Sequence, residues 1–116
     1  MRNLENAFRK LRSQGIVPQR TDCIIDLAAG KGRDHFTIDK FPTILACRAS
    51  SRSYYATRLQ RRVTLGEMMR LQGMDPGRLK LDGVSDTAVG KMIGNAMSCN
   101  VMKAICKSCL ACADLQ

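Results

Sequence analysis

No run of apolar residues in this chain approaches the ~20 that a membrane-spanning helix requires, and the opening MRNLENAFRK has no apolar core of the kind that directs export. The expectation is therefore an intracellular protein with no membrane partner, in the nucleus of a eukaryote or in the cytoplasm or nucleoid of a bacterium or phage. Without an export signal, the six cysteines read as reduced thiols rather than a disulfide framework. Internal repeats, low-complexity tracts and long linkers are also lacking. Histidine occurs once, as His35, with no cysteine or histidine neighbour at ligand spacing, and it reads as a surface residue.

Positive charge, by contrast, is plentiful. The 116 residues hold 19 Lys+Arg against 10 Asp+Glu, a formal +9, which favours a polyanionic partner. A chain of this length makes one domain, hiding about two thirds of its unfolded surface. The excess is concentrated: Arg48, Arg52, Arg58, Arg61 and Arg62 lie in a stretch with no acidic residue, interleaved with Ser50, Ser51, Ser53, Tyr54, Tyr55 and Thr57. Guanidinium forks suit phosphates and guanine edges, and hydroxyls suit phosphates. The segment therefore reads as a nucleic-acid contact, the alternative being a basic surface loop.

Apolar spacing predicts a helix over residues 3–13, carrying Leu4, Phe8 and Leu11 and stopped by Gly15. A connector through Gly15–Arg20 leads to a short buried strand, Cys23–Leu27, and then to a basic turn, Gly30–Arg33. The run FPTILAC, Phe41–Cys47, is apolar and β-compatible, with Tyr54–Tyr55 on a partner strand, giving a small sheet around a basic loop. Thr64 and Glu67 stand as a capping box opening a helix over 65–72, with Gly73 at its stop. After a loop over 74–83, Ser85 caps a short helix reaching Met92, Gly94-Asn95 breaks it, and a last helix runs from Ser98 or Asn100 to about Ala113. Val101, Met102, Ile105, Leu110 and several cysteines give that helix a broad apolar face.

RRVTLGEMMRLQG, Arg61 to Gly73, followed after a short spacer by IGNAM, Ile93 to Met97, resembles the last two sequence blocks of DNA (cytosine-5) methyltransferases, R-x-L-T-x-R-E-x-x-R-L-Q-G and I-G-N-[AS]-V. The resemblance extends over about residues 40–106 and faintly over 15–40. It departs from the pattern at Gly66, Met92, Ser98 and Asn100. It implies an α+β chain: a small β-containing recognition region, then C-terminal helices that complete an α/β S-adenosylmethionine-dependent methyltransferase fold. The implied division is an N-terminal helix and connector over 1–20, a partial target-recognition region over 21–63, and helical blocks docking on a catalytic domain over 64–116.

On this resemblance Asn95, Ala96 and Met97 line the S-adenosylmethionine pocket, shared with a missing catalytic portion. Read from the residues alone, Gly94-Asn95 is a helix-stop turn in left-handed conformation. Thr43-Ile44-Leu45 resembles the Thr-Leu pair that lies against DNA near the extruded base, because the ring carbon of a stacked cytosine cannot be reached. Thr43, Arg48, Arg52, Arg58, Arg61 and Arg62 are thus the implied contacts to double-stranded DNA. The alternative for Thr43 is an ordinary buried strand threonine. Val17-Pro18-Gln19-Arg20 partly resembles the block preceding the recognition region, or is a plain loop.

In that family the nucleophilic cysteine follows a proline, and a Glu-Asn-Val segment binds the base. Neither occurs in this chain, nor does the glycine-rich opening block, so no catalytic residue is assigned. IIDLAAGKGRD, Ile24 to Asp34, looks like the first motif of messenger-cap methyltransferases. Its helix would have only Asp34 to Lys40 before Pro42, and no acidic residue follows about twenty positions on. A recognition-region loop with Lys31 and Arg33 near phosphate is the preferred reading. Cys106, Cys109 and Cys112, with Cys99 upstream, invite a zinc or iron–sulfur reading, but three-residue steps on a helix place small apolar thiols along one face. No metal is expected.

The expected function is thus a C-terminal fragment or small subunit of a DNA (cytosine-5) methyltransferase, inactive without its catalytic partner. The alternatives are a non-catalytic basic DNA-binding module and an autonomous small methyltransferase using the Asp26–Gly32 loop.

Overall fold

A computed structural model describes residues 2–31 and 36–113. Gly32, Arg33, Asp34 and His35, and the readings placed on them, lie outside the described residues. The chain is α+β, with five helices and a four-stranded antiparallel sheet among those residues.

Helix α1, Arg2–Ser13, buries Ala7 and Leu11 at i, i+4 spacing and ends where Gly15 takes a φ of 76°. Ile16 N–H returns to the Leu11 carbonyl and Gly15 N–H to that of Arg12, each at 3.0 Å, the paired bonds of a Schellman stop. Its other end is tied to the loop after the first strand: Asn3 Nδ2 donates to the Leu27 and Ala29 carbonyls at 2.7 and 3.1 Å. Phe8 packs edge-on against Tyr55.

The strands are β1 (Cys23–Asp26), β2 (Phe36–Ile38), β3 (Tyr54–Ala56) and β4 (Arg61–Arg62), ordered β2-β1-β3-β4. Alternation along β1 buries Cys23 and Ile25. Burial also raises the pKa of the Cys23 thiol. Tyr54–Ala56 does form a strand, but its partners are β1 and β4 rather than residues 41–47.

The run FPTILAC corrects the sequence reading, because none of it is strand. Pro42 cannot donate to a ladder, and one buried phenol takes over the pairing a strand would have supplied. The Tyr54 hydroxyl accepts from Leu45 N–H at 3.0 Å and donates to the Thr43 carbonyl at 2.9 Å. Residues 41–45 thus stay irregular, and Ala46–Ser50 turns into a short helix, α2.

Helix α3, Leu65–Leu71, has the expected capping box: Glu67 N–H donates to Thr64 Oγ1 at 3.2 Å, and Thr64 N–H to Glu67 Oε2 at 2.9 Å. It buries Met68 and Met69. Helix α4, Asp86–Asn95, is capped by Ser85 and runs through Asn95, so Gly94-Asn95 does not break it. Neither residue is left-handed. Gly90 and Gly94 instead allow α4 to lie on α2. A Cβ on Gly90 would stand 2.4 Å from Ser50 Cα, and one on Gly94 would stand 2.2 Å from Ala46 N.

The core gathers Ile44, Ala49, Tyr54, Val63, Met68, Met69, Val89 and Ile93, joining the sheet to α2, α3 and α4. Helix α5, Cys99–Cys112, buries none of its residues. The molecule is correspondingly long, 57 × 36 × 25 Å. Its radius of gyration is 17.1 Å, against about 13 Å for a compact domain of this length. Among the described residues no helix is long and apolar enough to cross a membrane.

Candidate nucleic-acid interface and cofactor wall

The two sequence blocks meet through one side chain. Gln72, the C-cap of α3, extends Nε2 to the carbonyls of Ile93 and Ala96 at 3.1 and 3.2 Å, while its own carbonyl accepts from Cys99 N–H at 2.7 Å. One residue therefore fixes the end of α3, the end of α4 and the start of α5. Gly73, in the left-handed region at φ 75°, lets the chain leave α3 at that point, with Met74 N–H returning to the Met69 carbonyl.

Beside this junction lies a cleft of ≈ 400 Å³ whose lining includes Pro42, Thr43, Leu71, Gln72, Gly94 and Ala96. Thr43, expected at DNA, and Ala96, expected at the cofactor, thus share one surface. Thr43 is exposed and outside any strand, which overturns the buried-strand alternative. Asn95 and Met97 are both exposed. No ionisable side chain lines the cleft, and both Gln72 amide protons are committed to carbonyls. S-adenosylmethionine carries a carboxylate, an ammonium and a sulfonium, so these residues do not fit the whole cofactor. They offer at most an uncharged wall, and any charged partners would have to come from another chain portion.

The arginine segment, which holds no acidic residue itself, draws acidic partners from other parts of the chain. Arg48, half-buried on α2, donates from Nε to Asp26 Oδ2 at 3.0 Å, and this hydrogen bond raises the guanidinium pKa. Asp26 Oδ1 accepts from Ala28 N–H at 3.0 Å, so both oxygens of that carboxylate are engaged. Arg52 reaches Asp86 at 3.4 Å, and Arg58 reaches Asp22 at 3.1 Å, both on the surface.

Arg61 grips Glu67 with two guanidinium nitrogens. Primarily through that contact, and further through the bond from Thr64, the Glu67 carboxyl is lowered to about 2. Glu67 therefore serves both a helix cap and a cross-link from β4 to α3. Arg62 is exposed and has no ion pair among the described residues.

Sequence reasoning missed three members of this arrangement. Gln72 sits inside the first block but was given no role; a glutamine at a helix end, directly before a left-handed glycine, was the available signal. Tyr54 and Asp26 act through partners nine and 22 residues away, for which one sequence gives no signal. Cys99, Cys106, Cys109 and Cys112 are exposed free thiols on α5, and Cys47 is another on α2. Comparisons with family models, with curated proteins and with solved structures find no match.

Proposed function

We propose that the chain is the C-terminal portion or small subunit of a DNA (cytosine-5) methyltransferase, contributing target recognition and one wall of the S-adenosylmethionine pocket. The observation that carries this reading is the Gln72 junction: the glutamine of R-L-Q-G holds the backbone of I-G-N-A by two hydrogen bonds. The two blocks that resemble the family thus form one structural unit, in keeping with the cleft shared by Thr43 and Ala96. Asn95 and Met97, left exposed, are free to face a catalytic portion. The bare apolar half of α5 is the surface on which that portion would dock.

The chain would not methylate DNA alone. Mixed with a catalytic portion carrying the proline-cysteine and Glu-Asn-Val segments, it should raise methyl transfer above that portion alone; no gain would sink the proposal. A second reading, a non-catalytic DNA-binding module derived from such an enzyme, is favoured by the absence of ionisable groups in the cleft. It predicts salt-dependent DNA affinity with no cofactor-dependent assembly. An autonomous methyltransferase would use Asp26 as a ligand group, but that carboxylate is already bound to Arg48 and Ala28.

A further inference from the structure

Resting on the DNA-binding part of that proposal, we infer that the cleft between the end of α2 and the β4–α3 junction is a phosphate subsite for one backbone phosphodiester of duplex DNA. The cleft measures ≈ 380 Å³ and is lined by Ser50, Ser51, Arg52, Arg62, Val63 and Thr64. Two guanidinium groups and three hydroxyls line it, and no carboxylate does.

The arginines at this cleft differ from the others in the segment. Arg48 and Arg61 are committed to close carboxylates, and Arg58 lies at a different edge with Asp22. Arg62 has no ion pair among the described residues. Arg52 has only a long contact to Asp86, with side-chain exposures of 52% and 72%, which water and salt screen readily.

Arg52 also adopts a φ of 49°, a left-handed conformation that an arginine rarely occupies. That backbone turn directs the chain from α2 into β3 while keeping Arg52 on the same cleft as Arg62.

The hydroxyls are engaged within the chain. Ser50 and Ser51 donate to the Cys47 carbonyl, at 3.1 and 2.8 Å, and so shape the wall. Thr64 Oγ1 accepts from Glu67 N–H and its hydroxyl also bonds the Glu67 carboxylate, so Thr64 too shapes the wall. A phosphodiester would therefore receive two charge-assisted forks, from Arg52 and Arg62. Such contacts position a duplex without reading its sequence.

The test is binding of the full chain to a mixed-sequence DNA duplex across a salt series, with inorganic phosphate as a separate probe. Arg62→Gln should weaken duplex binding roughly five- to tenfold near 0.1 M salt and reduce the slope of log affinity against log salt by about 0.9. Arg52→Gln should act similarly, Arg62→Lys should retain most of the affinity, and the reduction should be equal for unrelated duplex sequences. Arg62 is exposed, so folding should be intact, and the melting curve checks it.

Duplex binding by the wild type with an unchanged slope in Arg52→Gln/Arg62→Gln overturns the subsite while leaving the DNA-binding reading in place. No duplex binding by the wild type overturns that reading and the subsite together. Saturable inorganic phosphate binding that depends on Arg62, without duplex binding, identifies a free-anion site and overturns the assignment to a DNA phosphodiester.

Discussion

Helices α4 and α5 follow one another in the chain, and both carry small and apolar residues on one side, yet only α4 is packed. α4 buries Val89, Gly90 and Ile93, and Gly90 and Gly94 bring its backbone against α2. α5 is longer, and helical spacing places Cys99, Val101, Met102, Ile105, Cys106, Cys109, Leu110 and Cys112 on one half and Lys103, Lys107 and Ser108 on the other. Even so, Val101, Ile105 and Leu110 stand 55%, 47% and 54% exposed. An apolar face is a requirement for packing, not a cause of it. What α4 has in addition is a matching surface within this chain, the backbone of Ala46 and Ser50.

The sharpest way to break the contrast is to spoil that match. Gly94→Ala should destabilise the chain by about 3 kcal/mol, because the added methyl meets the rigid backbone of Ala46 and the ~1 kcal/mol gain in helix propensity cannot offset it. Denaturant unfolding would measure the loss. A variant as stable as the wild type would mean that α2 can move aside and that the glycine spacing is incidental.

Next in size is the junction that sets where α4 ends and α5 begins. Gln72→Ala removes two donors from the Ile93 and Ala96 carbonyls and should cost about 2 kcal/mol, since the acceptors are left in a partly buried place. Amide exchange would localise the effect to the end of α4. Uniform protection in the variant would show that the two blocks are held together by packing alone.

A smaller effect is tied to pH. Glu67 is held at about 2, below the ordinary 4.5, so its contribution is fully present above pH 4.5 and is lost as pH falls toward 2. Arg61 is solvent-exposed, so screening keeps the contribution small, below the effects at Gly94 and Gln72. Wild-type stability should fall over that window more steeply than that of Glu67→Gln. Parallel acid titrations of the two would remove the ion pair from the account.

The sequence announced what is local and repeated. Thr64 and Glu67 gave the α3 cap, Gly15 and Gly73 gave two helix stops, and the spacing of Leu4, Phe8 and Leu11 gave α1, because each signal acts over one or two helical turns. What failed was decided at long range. FPTILAC has strand composition, but a tyrosine hydroxyl nine residues on captures its backbone. Gly94 has the look of a turn, yet its use is close approach to a helix more than 40 residues earlier, at Ala46. Nor could the sequence show which carboxylates pair with Arg48, Arg52, Arg58 and Arg61, because Asp22, Asp26, Asp86 and Glu67 all lie outside that segment. At the candidate site, the first block was legible as a capped helix, whereas the union of Thr43, Gln72 and Ala96 around one cleft was not.

The smallest expected effect tests the other half of the comparison. Ile105→Ser and Leu110→Ser on α5 replace side chains that are already in water, so together they should change the stability of the isolated chain by less than about 0.5 kcal/mol. An equal polar substitution at Ile93, 2% exposed on α4, would instead place an unpaired hydroxyl in the core. If the α5 variants melt as the wild type does but no longer raise methyl transfer by a catalytic portion, the apolar half of α5 is a docking face rather than a failed core helix. If they lower the melting temperature of the isolated chain, α5 packs on this chain in solution, and the contrast with α4 disappears.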